Sequence, residues 1–378
     1  MTVFANAEVI LPTEVIRASV YVDQGKIHDI VPGSQVPEGA LDCEGDYLAP
    51  GLVELHTDNL ERHMKPRPGV DWPHSAAVIA HDAELAGAGI TTVFDAIRVG
   101  SLHTSSDAGY GRYAREMATE LKVLKARDAL KISHRVHLRA EICSETLLDE
   151  LSEFTPEDRV GLISLMDHTP GQRQFRDVSQ LEHYLMGKHG YTQAQFDQHV
   201  VHLQGLQEKF GAAHEQGAVS EARRLGALLA SHDDTLAEHV ERSAQHGIRL
   251  AEFPTTVEAA QACYQHGIQV MMGAPNLIRG GSHSGNVAAH ELASLDLLDI
   301  VSSDYVPASL LTAAMRLADL WKDLPRAVNT ATRNPAAGAG LDDRGSIETG
   351  LRADLIRFRT LDGDALLRGV WVQGQQVS

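Results

Sequence analysis

The sequence lacks a long apolar run. No stretch of its 378 residues approaches the roughly 18 apolar residues that a membrane-spanning helix needs. Residues 1–20 also lack the basic start and following apolar stretch of a signal peptide. These two absences argue against a membrane partner and against secretion, and they predict a protein of the cytoplasm.

Cysteine and positive charge are both scarce. Cys43, Cys143 and Cys263 are far apart and form no CxxC pair, so we interpret them as free thiols of a reducing compartment. Lys and Arg total 33 against 51 Asp and Glu, and the formal net charge is −18. This balance argues against nucleic acid as a partner, because a phosphate backbone needs a basic face. It allows a small anionic substrate held by local cations, and it leaves open whether the chain forms a homo-oligomer.

The sequence does contain apolar runs that end in histidine or carboxylate residues. The first run ends in His56-Thr57-Asp58. Side chains two apart on a strand point the same way, so His56 and Asp58 can hold one metal ion from the same side. Taken alone, this motif at a strand end is more often a hydrogen-bonded pair than a metal site.

Four later runs repeat the pattern, which strengthens the metal interpretation. They are short and apolar without helical periodicity, as expected for parallel strands buried on both faces, and they end at Glu141, His168, His232 and Asp304. In a parallel barrel the carboxyl ends of all strands open onto one face. We therefore expect these side chains to converge there.

Strand and helix alternate along the middle of the chain. Candidate strands lie near residues 51–56, 91–97, 134–142, 160–168, 227–232, 248–253, 268–273 and 299–304. A count of eight favours a closed barrel over an open doubly wound sheet, so we predict an α/β fold with a (β/α)8 TIM-like barrel over residues 50–344. Residues 170–226 are rich in Gln, His and charge, and are predicted to form a helical insertion, either a lid or a surface decoration. Residues 1–49 and 345–378 are predicted to combine into one small β-sandwich.

The predicted ligand residues define a reaction class. Imidazoles and carboxylates on one barrel face are typical ligands of Zn²⁺ and similar divalent ions. We expect one or two such ions, most simply Zn²⁺, held by His56, Asp58, Glu141, His168, His232 and Asp304. A bound ion lowers the pKa of its water to about 7, and Asp304 is the natural candidate for general base. The prediction is metal-assisted hydrolysis.

Two stretches that follow strand ends predict an anionic substrate. Lys65 and Arg67 alternate with prolines that fix the backbone. Residues 273–286 form a glycine- and serine-rich segment whose backbone N–H groups can approach a phosphate, and its arginine and serine side chains add further hydrogen-bond donors. Its candidate binding residues are Arg279, Gly280, Gly281, Ser282 and Ser284. A solvated, flexible loop is the alternative in each case. A phosphorylated substrate is the leading hypothesis.

The chain resembles a known family at several separate strings. The strand layout and residues 334–341 and 345–355 are similar to the amidohydrolase superfamily over nearly the whole length. Residues 56–61, 65–68, 70–73, 273–276, 279–286 and 302–305 more narrowly resemble the PhnM family of the carbon–phosphorus lyase pathway. Most of the superfamily has His-x-His on the first strand, whereas this chain has His56-Thr57-Asp58.

The resemblance implies a barrel of the amidohydrolase type and a specific activity. The expected enzyme is a diphosphatase that converts α-D-ribose 1-methylphosphonate 5-triphosphate to the 5-phosphate and pyrophosphate, so a phosphorylated ribose phosphonate is the expected partner. Two alternatives stay open. One is an amidohydrolase that cleaves a C–N bond of a cyclic amide or N-acyl compound, and the other is a non-catalytic scaffold subunit of a phosphonate-degrading assembly.

Overall fold

The fold is given by a computed structural model that describes residues 1–67, 69–101, 112–176, 178–282 and 285–378. Its strands are β1 (Thr2–Ile10), β2 (Val15–Asp23), β3 (Lys26–Pro32), β4 (Leu41–Asp42), β5 (Tyr47–Pro50), β6 (Leu52–Thr57), β7 (Ile90–Val99), β8 (Ser133–Glu141), β9 (Val160–Met166), β10 (Leu228–His232), β11 (Leu250–Glu252), β12 (Gln269–Gly273), β13 (Ile300–Ser302), β14 (Leu355–Leu361), β15 (Asp364–Val372) and β16 (Gln375–Gln376).

The helices are α1 (Asn59–Met64), α2 (His74–Gly87), α3 (Ala114–Ala126), α4 (Leu147–Ser152), α5 (Val178–His189), α6 (Gln193–Leu225), α7 (Ala237–Gln245), α8 (Val257–His266), α9 (Ala274–Arg279), α10 (Ala289–Ser294), α11 (Ser309–Trp321), α12 (Leu324–Asn329) and α13 (Arg333–Gly338), with short 3-10 turns at Pro156–Asp158 and Arg173–Phe175.

Strands β6 to β13 form a nearly closed parallel barrel. They lie side by side in chain order, and a parallel bridge between Thr57 and Asp304 joins the two outer strands. The Ser302 hydroxyl strengthens this seam, because it lies 2.6 Å from the His56 carbonyl oxygen and 2.7 Å from Glu54 Oε1. The predicted eight-stranded barrel is confirmed.

Side chains along each strand alternate between two apolar cores. On β7, Val93 and Ile97 pack outward against the helices, while Phe94 faces the barrel interior. The inward set fills the barrel toward the amino ends of the strands and includes Phe94, Leu162, Ala230, Leu250, Met271 and Ile300. Farther along the same inward faces lie ionisable residues. The barrel therefore has an apolar floor and a polar carboxyl face, by which we mean the end where its strands finish.

The two chain ends meet in one mixed sheet. Its order is β16-β15-β14-β5-β1-β2-β3, with β4 paired to β1. Strand β14 runs antiparallel to β5, and β5 runs parallel to β1. A separate apolar core supports this sheet, in which the rings of Phe4 and Trp371 meet edge to face with centroids 4.9 Å apart.

Helices α5 and α6 occupy the long interval between β9 and β10. Helix α6 runs for 33 residues, from a capping box at Thr192 and Gln195 to Gly226, which ends it in the left-handed conformation that glycine tolerates. Its side chains contact the segments that follow β8 and β9: His214 Nδ1 donates to the Ile142 carbonyl at 2.9 Å, and Gln207 Nε2 donates to Asp167 at 2.7 Å. Among the described residues, no helix is both long enough and apolar enough to cross a membrane.

Candidate metal centre on the carboxyl face of the barrel

His56, His232 and Glu252 come together from three different strands. They end or nearly end β6, β10 and β11, and one ligand atom of each lies within 4.8 Å of the others. His56 Nδ1 is 3.0 Å from Glu252 Oε2, and these side chains are 2% and 0% exposed. Two of the three residues were predicted from strand ends. Glu252 was not, although it ends the predicted strand 248–253 and the same rule would have identified it.

A second set of donors shares His232 with the first. His168, His232 and Asp233 also have ligand atoms within 4.8 Å of one another, and His232 Nδ1 lies 2.7 Å from Asp233 Oδ2. Glu141 adjoins this set, because its carboxylate forms an ion pair with His168 and accepts the His168 backbone N–H at 3.2 Å. The carboxyl face thus offers imidazole and carboxylate donors for one ion or two.

The geometry around Glu252 fits a bound cation. Its Oε2 accepts a hydrogen bond from Ser164 at 2.7 Å, but its Oε1 is buried without a hydrogen-bond partner. A buried, unsatisfied carboxylate oxygen is costly, so such atoms normally have a partner. A divalent ion beside His56 and His232 would satisfy it with the donor chemistry that such ions prefer.

The local electrostatics keep His56 available as a neutral ligand. Burial, followed by the charge of Arg139, holds the pKa of His56 well below its usual value. A neutral imidazole has the lone pair that a metal ion requires. For His168, burial opposes protonation, but the neighbouring Glu141 more than offsets it and raises the pKa.

Asp304 and Asp58 lie on the same face but outside both donor sets. Asp304 follows β13, and its backbone carbonyl accepts a hydrogen bond from Thr57 Oγ1 at 2.7 Å. Asp58 precedes α1, with Oδ2 3.5 Å from Arg139 Nη1. Burial, and then the negative charge of Asp58, raise the pKa of Asp304 to about 8. A carboxyl group in this range can take up and release a proton near neutral pH.

Three residues next to the strand ends have a left-handed backbone. Asp233, Phe253 and Asp304 have φ values of 55°, 55° and 54°, which is costly for residues other than glycine and is concentrated at functional sites. The Phe253 ring lies edge-on to His56 and to His232, with centroids 5.1 Å and 5.3 Å away. It packs against both imidazoles and restricts their orientation.

The residues predicted to bind an anion follow β6 and β12, and so lie on the same side of the barrel. Lys65 caps α1, with Nζ 3.8 Å from Asp71, whereas Arg67 and Arg279 are exposed. Residues 274–279 differ from the predicted loop, because they form α9, with Pro275 in its first turn where no N–H donor is needed. Gly280 ends this helix at φ 79°, Gly281 and Ser282 are partly buried, and Ser284 lies outside the described residues.

A further cluster lies behind the barrel wall and was missed by the sequence analysis. His81 on α2 donates from Nε2 to Asp95 Oδ1 at 3.0 Å, and His134 Nδ1 donates to Asp95 Oδ2 at 2.8 Å. His134 Nε2 donates to Asp82, which also accepts the backbone N–H groups of Lys131 and Ile132. Each histidine nitrogen and each aspartate oxygen of this set has a partner, so we interpret it as a structural hydrogen-bond network.

Several solved structures share the architecture of this chain. A 5-methylcytosine deaminase from Klebsiella pneumoniae matches with a TM-score of 0.66 and 14% identity, over 100% of this chain and 98% of that chain. An N-isopropylammelide isopropylaminohydrolase from Burkholderia multivorans matches with a TM-score of 0.64 and 16% identity, over 100% and 98%. No family model matches the sequence. At these identities the likeness shows the fold, a barrel of the amidohydrolase type. The donor sets on its carboxyl face could hold a divalent ion.

A curated relative narrows the class to a family. The chain is 44% identical over 376 residues to the α-D-ribose 1-methylphosphonate 5-triphosphate diphosphatase of Escherichia coli K12, covering 98% of this chain and 99% of the relative. The chain belongs to the family of this diphosphatase, which is the PhnM family that its motifs resemble.

Proposed function

We propose that this protein hydrolyses α-D-ribose 1-methylphosphonate 5-triphosphate to the 5-phosphate and pyrophosphate. The observation that carries the proposal is the near full-length similarity to the Escherichia coli diphosphatase. The clustered donors His56, His232 and Glu252 support it, because they supply the ligand chemistry that metal-assisted hydrolysis needs.

Separate residues of the chain would bind the ion and accept the proton of the attacking water. His56, His232 and Glu252, with His168, Asp233 and Glu141 beside them, would hold the divalent ion, for which we infer Zn²⁺ from the nitrogen and oxygen donors. When bound, such an ion supplies a water of lowered pKa. Asp304, which follows β13 on the same face, is the candidate acceptor for the proton of the attacking water. The three buried thiols support a reducing compartment, so we infer a cytoplasmic location.

The leaving pyrophosphate requires positive charge on the side away from the ion. Lys65, Arg67 and Arg279 follow strands β6 and β12 on the carboxyl face and are the candidates. A triphosphate whose tail lies on these segments would bring its innermost phosphorus closest to the donor sets. Fixed cations near the leaving group stabilise the charge that develops there.

The position of bond cleavage tests the proposal. Purified protein is incubated with the triphosphate in ¹⁸O-water, and the products are followed by phosphorus NMR. We expect pyrophosphate and an ¹⁸O-labelled ribose 5-phosphate as primary products. Primary release of orthophosphate would contradict attack at the innermost phosphorus.

A substrate panel tests the remaining alternatives in the same preparation. Cyclic amides and N-acyl compounds require the same ion but no convergent basic groups, so turnover of these in place of the triphosphate would favour C–N hydrolysis. Absence of both activities in metal-loaded protein would favour the scaffold role.

A further inference from the structure

Arg139 is a buried arginine on β8, two residues before Glu141. On β8 the inward-facing positions alternate, so His137, Arg139 and Glu141 share one face. His137 contacts the ring of His56, with centroids 5.1 Å apart, and Glu141 contacts His168. The side chain between them is therefore directed toward the region that both donor sets surround.

The Arg139 guanidinium is buried with few of its donors used. Its side chain is 10% exposed, and its ion-pair contact in the described part of the chain is with Asp58, at 3.5 Å from Nη1. That separation is too long for a strong hydrogen bond. Its Nε is buried and has no hydrogen-bond partner. Burial of a guanidinium is expensive unless its donors are satisfied, so this arrangement indicates a group that the protein itself does not supply.

The neighbouring strand adds a second arginine on the same face. Arg98 on β7 is the register partner of Arg139, and register partners in a parallel sheet point to the same side. The surrounding carboxylates, Asp58, Glu61 and Asp304, act on the guanidinium through their charge. A planar guanidinium can present two parallel N–H donors to an anion, which matches the geometry of a phosphoryl group.

We propose that Arg139 is a substrate-binding residue that holds two non-bridging oxygens of the phosphoryl group undergoing attack. The inference rests on the proposed function for the identity of the substrate and adds a contact from inside the barrel. Lys65, Arg67 and Arg279 follow the strand ends, whereas Arg139 comes from within the strand that carries Glu141. Arg139 therefore binds the phosphoryl group nearest the donor sets, while Lys65, Arg67 and Arg279 bind the leaving group.

Three variants separate this role from simple neutralisation of the nearby carboxylates. Arg139→Met removes the charge, Arg139→Lys keeps the charge but loses the two-pronged donor, and Arg135→Met removes an arginine from the same strand face toward its amino end. At equal metal content, we expect Arg139→Met to lower kcat for the triphosphate by about 100- to 1000-fold, the usual effect of removing a donor to a transition-state oxygen. Arg139→Lys should restore only a small part of the loss, and Arg135→Met should behave as the parent protein.

A binding measurement tests the proposal without relying on catalytic turnover. Inorganic phosphate is titrated calorimetrically into the metal-loaded parent and each variant, and loss of charge-assisted contacts should weaken its binding about 10- to 100-fold in both Arg139 variants. Parental phosphate affinity and kcat in Arg139→Lys would overturn the proposal, because neutralisation alone would then suffice. If the parent does not cleave the triphosphate, the proposed function fails, while the phosphate titration still decides the role of Arg139.

Discussion

Replacing His134 by Gln should remove a pH-dependent contribution to stability. His134 is buried between Asp95 and Asp82, at 2.8 Å and 3.2 Å. Burial opposes its protonation, but the two carboxylates more than offset this and raise its pKa to about 9. The rise of the pKa from the usual histidine value of 6.5 corresponds to about 3 kcal/mol of stabilisation of the folded protein while His134 is protonated.

The sign of the effect defines the experiment. A raised pKa gives stability that is fully present below pH 6.5 and is lost as the pH rises through about 9. Free energies of unfolding are measured by urea denaturation from about pH 6 to about pH 10 for the parent and His134→Gln. We expect the variant to be less stable at the acid end, and the difference to shrink by about 3 kcal/mol across this range.

The difference between the two proteins isolates His134. Other groups that titrate in this range, including Asp304, contribute to both curves and cancel. His28→Gln, on an exposed position of β3, should follow the parent at every pH. A gap between parent and His134→Gln that stays constant with pH would refute the reasoning, because the histidine would then not be protonated in the folded state.

Three further predictions concern the carboxyl face. Glu252→Gln should weaken metal binding by at least about 10- to 100-fold, because even the loss of a residue that only orients a ligand weakens binding by this much. Metal affinity is measured by competition with a chromophoric chelator. The exposed Glu241→Gln is the control and should bind metal as the parent does. His56→Ala and His232→Ala should each lose metal and activity together, and full metal content with parental turnover would contradict the assignment. Arg67→Ala and Arg279→Ala should retain the metal but raise KM or lower kcat for the triphosphate. Each lost charge-assisted contact should cost about 1.5 to 3 kcal/mol of binding free energy. Unchanged kinetics in both variants would show that these arginines are only solvated surface residues.

The barrel could be predicted because its strands carry a signal that local sequence preserves. Runs such as 160–166 are largely apolar on both faces, as expected of a parallel strand buried between the helices and the barrel interior. His56 and His232 could be predicted because the sequence changes from apolar to polar residues where each of their strands ends. Helix α9 was not predicted, because its six residues are too few to show helical periodicity.

The missed residues are those whose role depends on long-range contacts. Glu252 ends a strand of three residues, and its role as a donor depends on His56 and His232, which come from other strands. Arg139 lies on β8 among other polar and charged residues, and its role depends on which face of β8 turns inward. His81, Asp95 and His134 come from a helix and two strands, so no spacing in the sequence links them. Their pairing appears only once α2 is packed against β7 and β8.

The sheet formed by both chain ends has a consequence for biosynthesis. Strand β5 lies between β1 and β14, and β14 is translated only after the whole barrel. A ribosome-bound chain therefore carries β5 with an unpaired edge while every barrel strand is being made. Unpaired edges favour intermolecular pairing, and contacts between distant parts of a chain form slowly. Until β14 leaves the ribosome, the edge of β5 that it will cover is therefore open to pairing with another chain.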